Sequence, residues 1–339
     1  MQLAERVNVL VRLGEHMQSL DGEEFKTLFL KAEADNPWFT LENVNKSLSA
    51  IRDQYLSELS LHKITSKYHL DDNIMRKKIG LILAGNIPLV GVHDIICCFL
   101  CGHTALIKVS DKDKILMQWF IHEMVTLEPK AAQYLIEVEK LKDYDAAIAT
   151  GSNASAVHFE YYFRNVPHII RHNRNSIAIL YGQETKDQLQ LLGNDIFTYF
   201  GLGCRNVSMV LVPEGYDIKV LIDALEPFKA IMHHNKYKNN YDYNLALMLL
   251  NKETFLQSDF VIWKESDQII SRIASIHYRF YKNQEELVNW LKLKNDEIQC
   301  VVSSQNLPET ETVPFGMAQC PDIDVFADGV DTMEFLLRV

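Results

Sequence analysis

Positive charge is scarce in this chain. Lys and Arg total 34 against 45 Asp and Glu, a formal net charge of −11 over 339 residues. Proteins that track phosphate need clustered cations, so the balance argues against a nucleic-acid partner and none is expected. No block of like charge forms a basic arm or an acidic tail. Long uncharged apolar runs are missing as well, and none reaches the length of a membrane span. The opening stretch MQLAERVNVLVRLGEHM is broken by Glu5, Arg6, Arg12 and Glu15, which argues against a signal peptide. Its Leu3, Val7, Leu10 and Val11 share one face of an amphipathic helix instead. Cysteine is sparse. Six residues, with no export signal, point to a reducing compartment, and a cytoplasmic protein is expected. Internal repeats, low-complexity tracts and a G-x-G-x-x-G fingerprint are all absent.

What is present is an ordinary globular composition, 47% hydrophobic and long enough for two domains. Residues 1–75 read as helical, with Thr40 capping a helix from Leu41 whose inner face runs through Val44, Leu48, Ile51, Tyr55 and Leu59. From Ile79 the pattern changes. IGLILAG, TALIKVS and AAIATGS read as short buried strands. They alternate with helices in PLVGVHDIICCFLCG, in the segment capped by Ser110 or Asp111, and in SAVHFEYYF. Gly102 closes the first of these helices. This rhythm predicts an α/β fold with a Rossmann-type parallel sheet and helices on both faces. Ligands then gather at the carboxyl ends of strands, here residues 84–88, 108–111 and 150–153.

Beyond residue 175 the chain reads as a second α/β domain. Strands are expected in SIAILYG, VSMVLVP, DFVIW and QCVVSS, with helices after Gln183 and near 217–228. HHNKYKNNYDYN reads as a polar helix end or loop, QNLPETETVPFG as a loop, and the terminal EFLLRV as a strand. A composition change at RHNRNS divides the chain. Residues 1–172 form the helical region and nucleotide-binding domain, and 173–315 the catalytic domain. Residues 316–339 form a tail that returns to the first domain or meets another copy.

Four short stretches could carry chemistry. In YFGLGCRNVS, Cys204 follows G-x-G at a sharp turn, where backbone N–H groups can lower a thiol's pKa and hold an oxyanion. A buried cysteine acting as a small hydrophobe is the plainer alternative. In AGNIPL, Asn86 stands on a strand tip before Ile-Pro and can donate to an oxyanion, or can simply form an Asx-turn. In LIKVSD, Lys108 ends a strand, placed for a ribose or phosphate, or is a surface lysine. In ATGSN, Thr150, Gly151 and Ser152 open a helix and offer N–H groups and hydroxyls to a phosphate, or Ser152 is a plain N-cap.

In this order, N-x-P-L, a strand ending in Lys, T-G-S at a helix start and G-x-x-C before an apolar strand resemble the aldehyde dehydrogenase superfamily. The ending VPFGMAQCPDIDVFADGVDTMEFLL is similar to that of its LuxC-like acyl-CoA reductases. The likeness runs from about Ile79 to the last residue, behind an N-terminal region shorter than is usual there. It implies Cys204 as nucleophile, with Asn86 and the Cys204 backbone N–H as oxyanion donors. Lys108 falls on the adenosine ribose, Ser110 and Asp111 near its 2′ group, and Thr150, Gly151 and Ser152 near the pyrophosphate. The implied activity is reduction of a fatty acyl thioester, acyl-CoA or acyl-protein, to an aldehyde. The implied cofactor is NADPH, with NADH as the alternative. An acyl-activating partner enzyme and a homo-oligomer joined through the terminal strand also follow from the resemblance.

One departure carries information. Hydrolytic members place a water-activating glutamate in an E-L-G-G-K segment, where this chain reads RHNRNSIAIL, without a carboxylate. Water is a hazard to an acyl-enzyme awaiting reduction, so the loss fits acyl-CoA reduction better than aldehyde oxidation. His168 or His172 stands as a proton donor or as a structural histidine. Cys97, Cys98 and Cys101 share one apolar helix and read as core, and His233-His234 lacks a carboxylate partner, so no metal is expected. A cysteine thioesterase or acyltransferase working without nicotinamide, and a non-catalytic subunit of the same fold, remain as alternatives.

Overall fold

The computed structural model describes residues 1–20, 23–73 and 75–339. The chain divides into two units, residues 1–173 with 321–339, and residues 174–320.

The first unit begins with four helices, α1 (Leu3–Gln18), α2 (Glu23–Asp35), α3 (Leu41–Tyr55) and α4 (Glu58–Lys67). Thr40 caps α3 by accepting from Asn43 N, and Val44, Leu48 and Ile51 are buried along it. The expected inner face stops there: α3 ends at Tyr55, and Leu59, on α4, is exposed. The sheet follows, with β1 (Lys78–Ile82), β2 (Thr104–Lys108), β3 (Leu135–Glu137), β4 (Ala146–Thr150) and β5 (His168–Arg171). Its order is β3-β2-β1-β4-β5 and every pairing is parallel. Between the strands lie α5 (Val92–Leu100), α6 (Lys114–Leu127) and α7 (Asn153–Phe163). Gly102 ends α5 at φ +77, a conformation glycine enters without a Cβ clash. β1 is central, and the chain reverses its winding between β1 and β4, which makes their carboxyl ends a topological switch point.

The terminal EFLLRV is not a strand. It lies in α12 (Thr332–Arg338), whose Asp331 cap accepts from Glu334 N. Met333 and Leu336, three apart, are fully buried in the first unit's core, so helical periodicity prevails over strand propensity. Nearby, Arg171 forks onto Asp94 of α5 at 2.5 and 2.7 Å and donates to Thr332 Oγ1 at 2.9 Å.

The second unit is a seven-stranded sheet in the order β12-β11-β6-β7-β10-β9-β8. Its strands are β6 (Asn175–Ile179), β7 (Val207–Pro213), β8 (Leu256–Gln257), β9 (Ile262–Glu265), β10 (Ser275–Tyr281), β11 (Ile298–Ser303) and β12 (Thr312–Val313). All pairings are parallel except β8 with β9. α8 (Lys186–Phe197), α9 (Ile218–Ala224), α10 (Asn235–Leu250) and α11 (Gln284–Lys294) cover it. Of the two readings of HHNKYKNNYDYN, a polar helix end or a loop, the helix end holds, because the segment opens α10. His234 caps it, and Tyr237 and Tyr241, one turn apart, bury their rings and donate to Phe260 O and Ser258 O. Among the described residues no helix is long and apolar enough to cross a membrane.

Candidate active site

In the first unit the turn after β1 packs on the turn after β2. Leu83 N donates to Lys108 O at 3.1 Å. A Cβ on Gly85 would stand 2.5 Å from Ser110 Oγ, so only glycine permits this approach. Asn86 follows, exposed. Leu89 then takes the left-handed region at φ 57 and donates its N–H to Asp113 Oδ2 at 2.7 Å. Asp113 is 2% exposed, and burial pushes its carboxyl well up. Neither Ser110 nor Asp111 caps α6 directly. Ser110 caps a single 3₁₀ turn, Asp111–Asp113, by accepting from Lys112 N, and α6 starts only after it.

Lys108 closes β2, half-buried, and makes no side-chain hydrogen bond or ion pair with the described residues. Such a cation at the carboxyl end of a parallel strand can bind ribose hydroxyls or a phosphate. Thr150 ends β4 on the other side of β1. Ser152 caps α7, its Oγ accepting from Ser155 N at 3.2 Å and lying 3.0 Å from Ser155 Oγ. The capping role proposed for Ser152 is thus occupied, while the backbone at 150–152 still opens an eleven-residue helix at the switch point. Asn86, Ser110 and Lys108 lie on abutting turns, and Thr150–Ser152 follow the adjoining strand. Cys204 belongs to the other unit.

In the second unit α8 ends at Phe197, and the chain crosses to β7 through Tyr199 and Phe200, both left-handed at φ 55 and 58. Each costs on the order of 1 kcal/mol. Both rings are buried, and Phe200 lies 4.2 Å from the His234 ring, which offsets the cost. A tight turn at 203–206 follows, closed by Asn206 N donating to Gly203 O at 3.0 Å. Cys204 rides on this turn, half-buried, at the head of β7. Its carbonyl accepts from Ser176 Oγ at 3.1 Å. The same hydroxyl lies 3.0 Å from Cys300 Sγ, a contact in which either atom can donate. Burial pushes the Cys300 thiol up, against the opposing pull of Arg205 and Ser176. A small cavity of about 30 Å³, roomy enough for water, is lined by Phe200, Gly201, Val207 and Ser208.

The residues that fix this turn carried no motif. Asn206 and Ser176 are polar, buried and placed on the sheet's amino edge. A polar residue flanking an apolar strand was the only available signal. Asp195 is another. Fully buried on α8, it accepts from Gly316 N at 2.6 Å and Ala318 N at 2.9 Å and so holds the 316–318 segment. Burial pushes its carboxyl up from 3.8 to about 7, against the pull of those two donors. Its folded pKa lies above the unfolded one, so the native state keeps a proton that the unfolded chain releases. Its contribution to stability therefore falls as pH rises from about 4 to about 7 and levels off beyond. Asp195→Asn should flatten that part of the slope in urea unfolding followed from about pH 4.5 to about pH 8.

Cys97, Cys98 and Cys101 lie in the core of the first unit, fully buried. Burial pushes all three thiols up, Cys101 to about 12. His168 hydrogen-bonds Val166 O, and His172 N donates to Asp328 Oδ2, both within the first unit.

No family model and no curated protein matches the chain. Solved structures do, and they define an aldehyde-dehydrogenase-like α/β fold with a Rossmann-type domain and a second sheet domain. The aldehyde dehydrogenase KauB from Pseudomonas aeruginosa is similar over 99% of this chain and 83% of its own, at 12% identity and a TM-score of 0.72. Aldehyde dehydrogenase 21 from Physcomitrella patens, in complex with the reaction product succinate, is similar over 100% and 84%, at 11% identity and 0.68. A Mycobacterium tuberculosis aldehyde dehydrogenase complexed with NAD+ is similar over 92% and 77%, at 14% identity and 0.66.

Proposed function

We propose that the chain is a nicotinamide-dependent acyl-CoA reductase that forms an aldehyde through an acyl-enzyme on Cys204. The observation that carries this is the half-buried cysteine raised on a pinned turn at the head of a buried parallel strand. The cofactor assignment leans on the switch point. The Lys108 side chain has no hydrogen bond or ion pair with the described residues, and the N-terminus of α7 opens after the strand on the other side of β1. Similar folds bind NAD+ in the Mycobacterium tuberculosis and Bacillus cereus complexes. Lys108 and Ser110 would hold the adenosine ribose, and the backbone at Thr150, Gly151 and Ser152 the pyrophosphate.

Cys204 attacks the thioester carbonyl, forming a carbon–sulfur bond, and collapse expels coenzyme A as its thiolate. Asn86 and the Cys204 backbone N–H are assigned to the oxyanion of that step. A reduced nicotinamide, when bound, supplies the hydride that takes the thioester to the aldehyde level. The Cys204 sulfur is the leaving group that frees the aldehyde and is ready for the next acyl group. The segment RHNRNSIAIL offers no carboxylate to activate water, which protects the acyl-enzyme from hydrolysis.

The test follows absorbance of reduced nicotinamide with purified protein, acyl-CoA of several chain lengths, and NADPH or NADH. Expected is acyl-CoA-dependent oxidation of one cofactor with aldehyde formed in equal amount, NADPH being the better substrate. Release of coenzyme A without cofactor oxidation would replace the reductase by a hydrolase or acyltransferase. Asn86→Ala is expected to slow turnover roughly a hundredfold, since such an oxyanion donor contributes about 3 kcal/mol to the chemical step. Asn86 is exposed, so the melting temperature should stay close to wild type.

A further inference from the structure

We infer that Asn206 and Ser176 are positioning residues that mount the Cys204 thiol, an inference whose kinetic arm rests on the reductase function proposed above. Asn206 is 1% exposed and closes the turn from both sides. Its backbone N–H donates to Gly203 O, and its Oδ1 accepts from Gly203 N at 2.8 Å. Its Nδ2 reaches Asp195 O at 3.0 Å, Ile196 O at 3.3 Å and Thr198 O at 2.8 Å. These carbonyls lie at or just past the end of α8, where a helix leaves acceptors unpaired and carries its negative dipole end. One amide therefore welds the nucleophile's turn to the helix before it and satisfies carbonyl dipoles that would otherwise face that turn.

Ser176 works from the opposite side. It is fully buried on β6, where the register with β7 shifts between Ser176 and Ile177. Its Oγ donates to Cys204 O at 3.1 Å and lies 3.0 Å from Cys300 Sγ. Gly203 N–H, Gly203 C=O and Cys204 C=O are thus all held by buried partners, so the half-buried Cys204 sits on a fixed backbone. The left-handed Tyr199 and Phe200 immediately upstream keep a strained path in place to deliver the chain to this turn.

A thiol displaced by about 1 Å loses on the order of a hundredfold in rate, and the loss falls on kcat rather than on binding. The test compares wild type with Ser176→Ala and Asn206→Asp. The aspartate keeps the acceptor for Gly203 N–H, loses the donor, and sets a carboxylate against three carbonyls. Turnover is measured per active site, the sites being counted by acyl labelling. Expected is a fall in kcat of roughly tenfold for Ser176→Ala and roughly a hundredfold for Asn206→Asp, with KM for acyl-CoA unchanged. A purely structural role would lower the melting temperature and leave kcat per labelled site at the wild-type value, which overturns the inference.

A second readout does not depend on activity. Alkylation of Cys204 by iodoacetamide, followed by peptide mass spectrometry, should quicken roughly fivefold in folded Ser176→Ala, the factor corresponding to one ordinary hydrogen bond. An unchanged rate overturns the inference even if the wild type reduces no acyl-CoA, a result that would by itself remove only the proposed function. Ser176→Ala deletes one buried hydroxyl and adds no charge, so it carries both readouts if Asn206→Asp fails to fold.

Discussion

Cys204→Ala is expected to cut acyl-CoA-dependent oxidation of NADPH to below about one ten-thousandth of wild type, and to abolish acyl labelling of the protein. Without a sulfur the thioester has no acceptor, and an oxyanion hole alone cannot hold an acyl group. The fold should survive, because the substitution removes one heavy atom from a half-buried turn whose hydrogen bonds are made by Gly203, Asn206 and Ser176. The other thiols supply the control. Cys97, Cys98 and Cys101 are sealed in the first unit, and burial holds Cys300 protonated against Arg205 and Ser176. Intact mass should therefore show one acyl group on the wild type, mapped to Cys204, and the same single adduct on Cys300→Ala and Cys320→Ala. Cofactor consumption that persists in folded Cys204→Ala would sink the assignment. So would an adduct that moves to another cysteine with the rate unchanged.

The first unit's sheet was legible where strands are continuous apolar runs bounded by small residues. IGLILAG, TALIKVS and AAIATGS became β1, β2 and β4. Short or polar-edged strands escaped: LIE and HIIR are edges of the first sheet, and SIHYRFY alternates polar and apolar residues inside the second. The C-terminal segment misled for a physical reason. EFLLRV carries strand-like apolar density, and only packing of Met333 and Leu336 into the core three residues apart chooses the helix. For the tyrosine-rich segment the helix-end reading holds over the loop, but the polar residues between Tyr237 and Tyr241 hid a buried helical pair. At the candidate site the cysteine proposed as nucleophile stood out in the sequence, and the residues that hold its turn did not. Cys204 stands between glycines and a strand, a pattern with chemical meaning. Asn206, Ser176 and Asp195 are ordinary polar residues whose importance comes from long-range hydrogen bonds that no local pattern announces.

Arg171→Met is expected to destabilise the first unit by about 3–5 kcal/mol. Arg171 and Asp94 are 6% and 4% exposed, and their bidentate bonds join the end of β5 to the start of α5. Desolvation works against the buried guanidinium, but Asp94 outweighs it and holds the arginine's pKa up. Removing the cation leaves Asp94 as an uncompensated buried charge, which is far worse than losing one hydrogen bond. It also frees Thr332, through which Arg171 ties α12 down. The chain leaves this unit just beyond Arg171 and re-enters at Pro321. His172 N on the way out bonds Asp328 Oδ2 on the way back. The pair therefore clamps both crossings, and loosening it should free the C-terminal helix first. Hydrogen exchange in α12 should accelerate ahead of exchange in β1, and the calorimetric transition of the first unit should move down. Replacing both partners, Arg171→Met with Asp94→Leu, should recover most of the loss, because an apolar pair of similar volume carries no desolvation penalty. A double variant as unstable as the single one would mean that the cost lies in packing around Thr332 and α12 rather than in the stranded carboxylate.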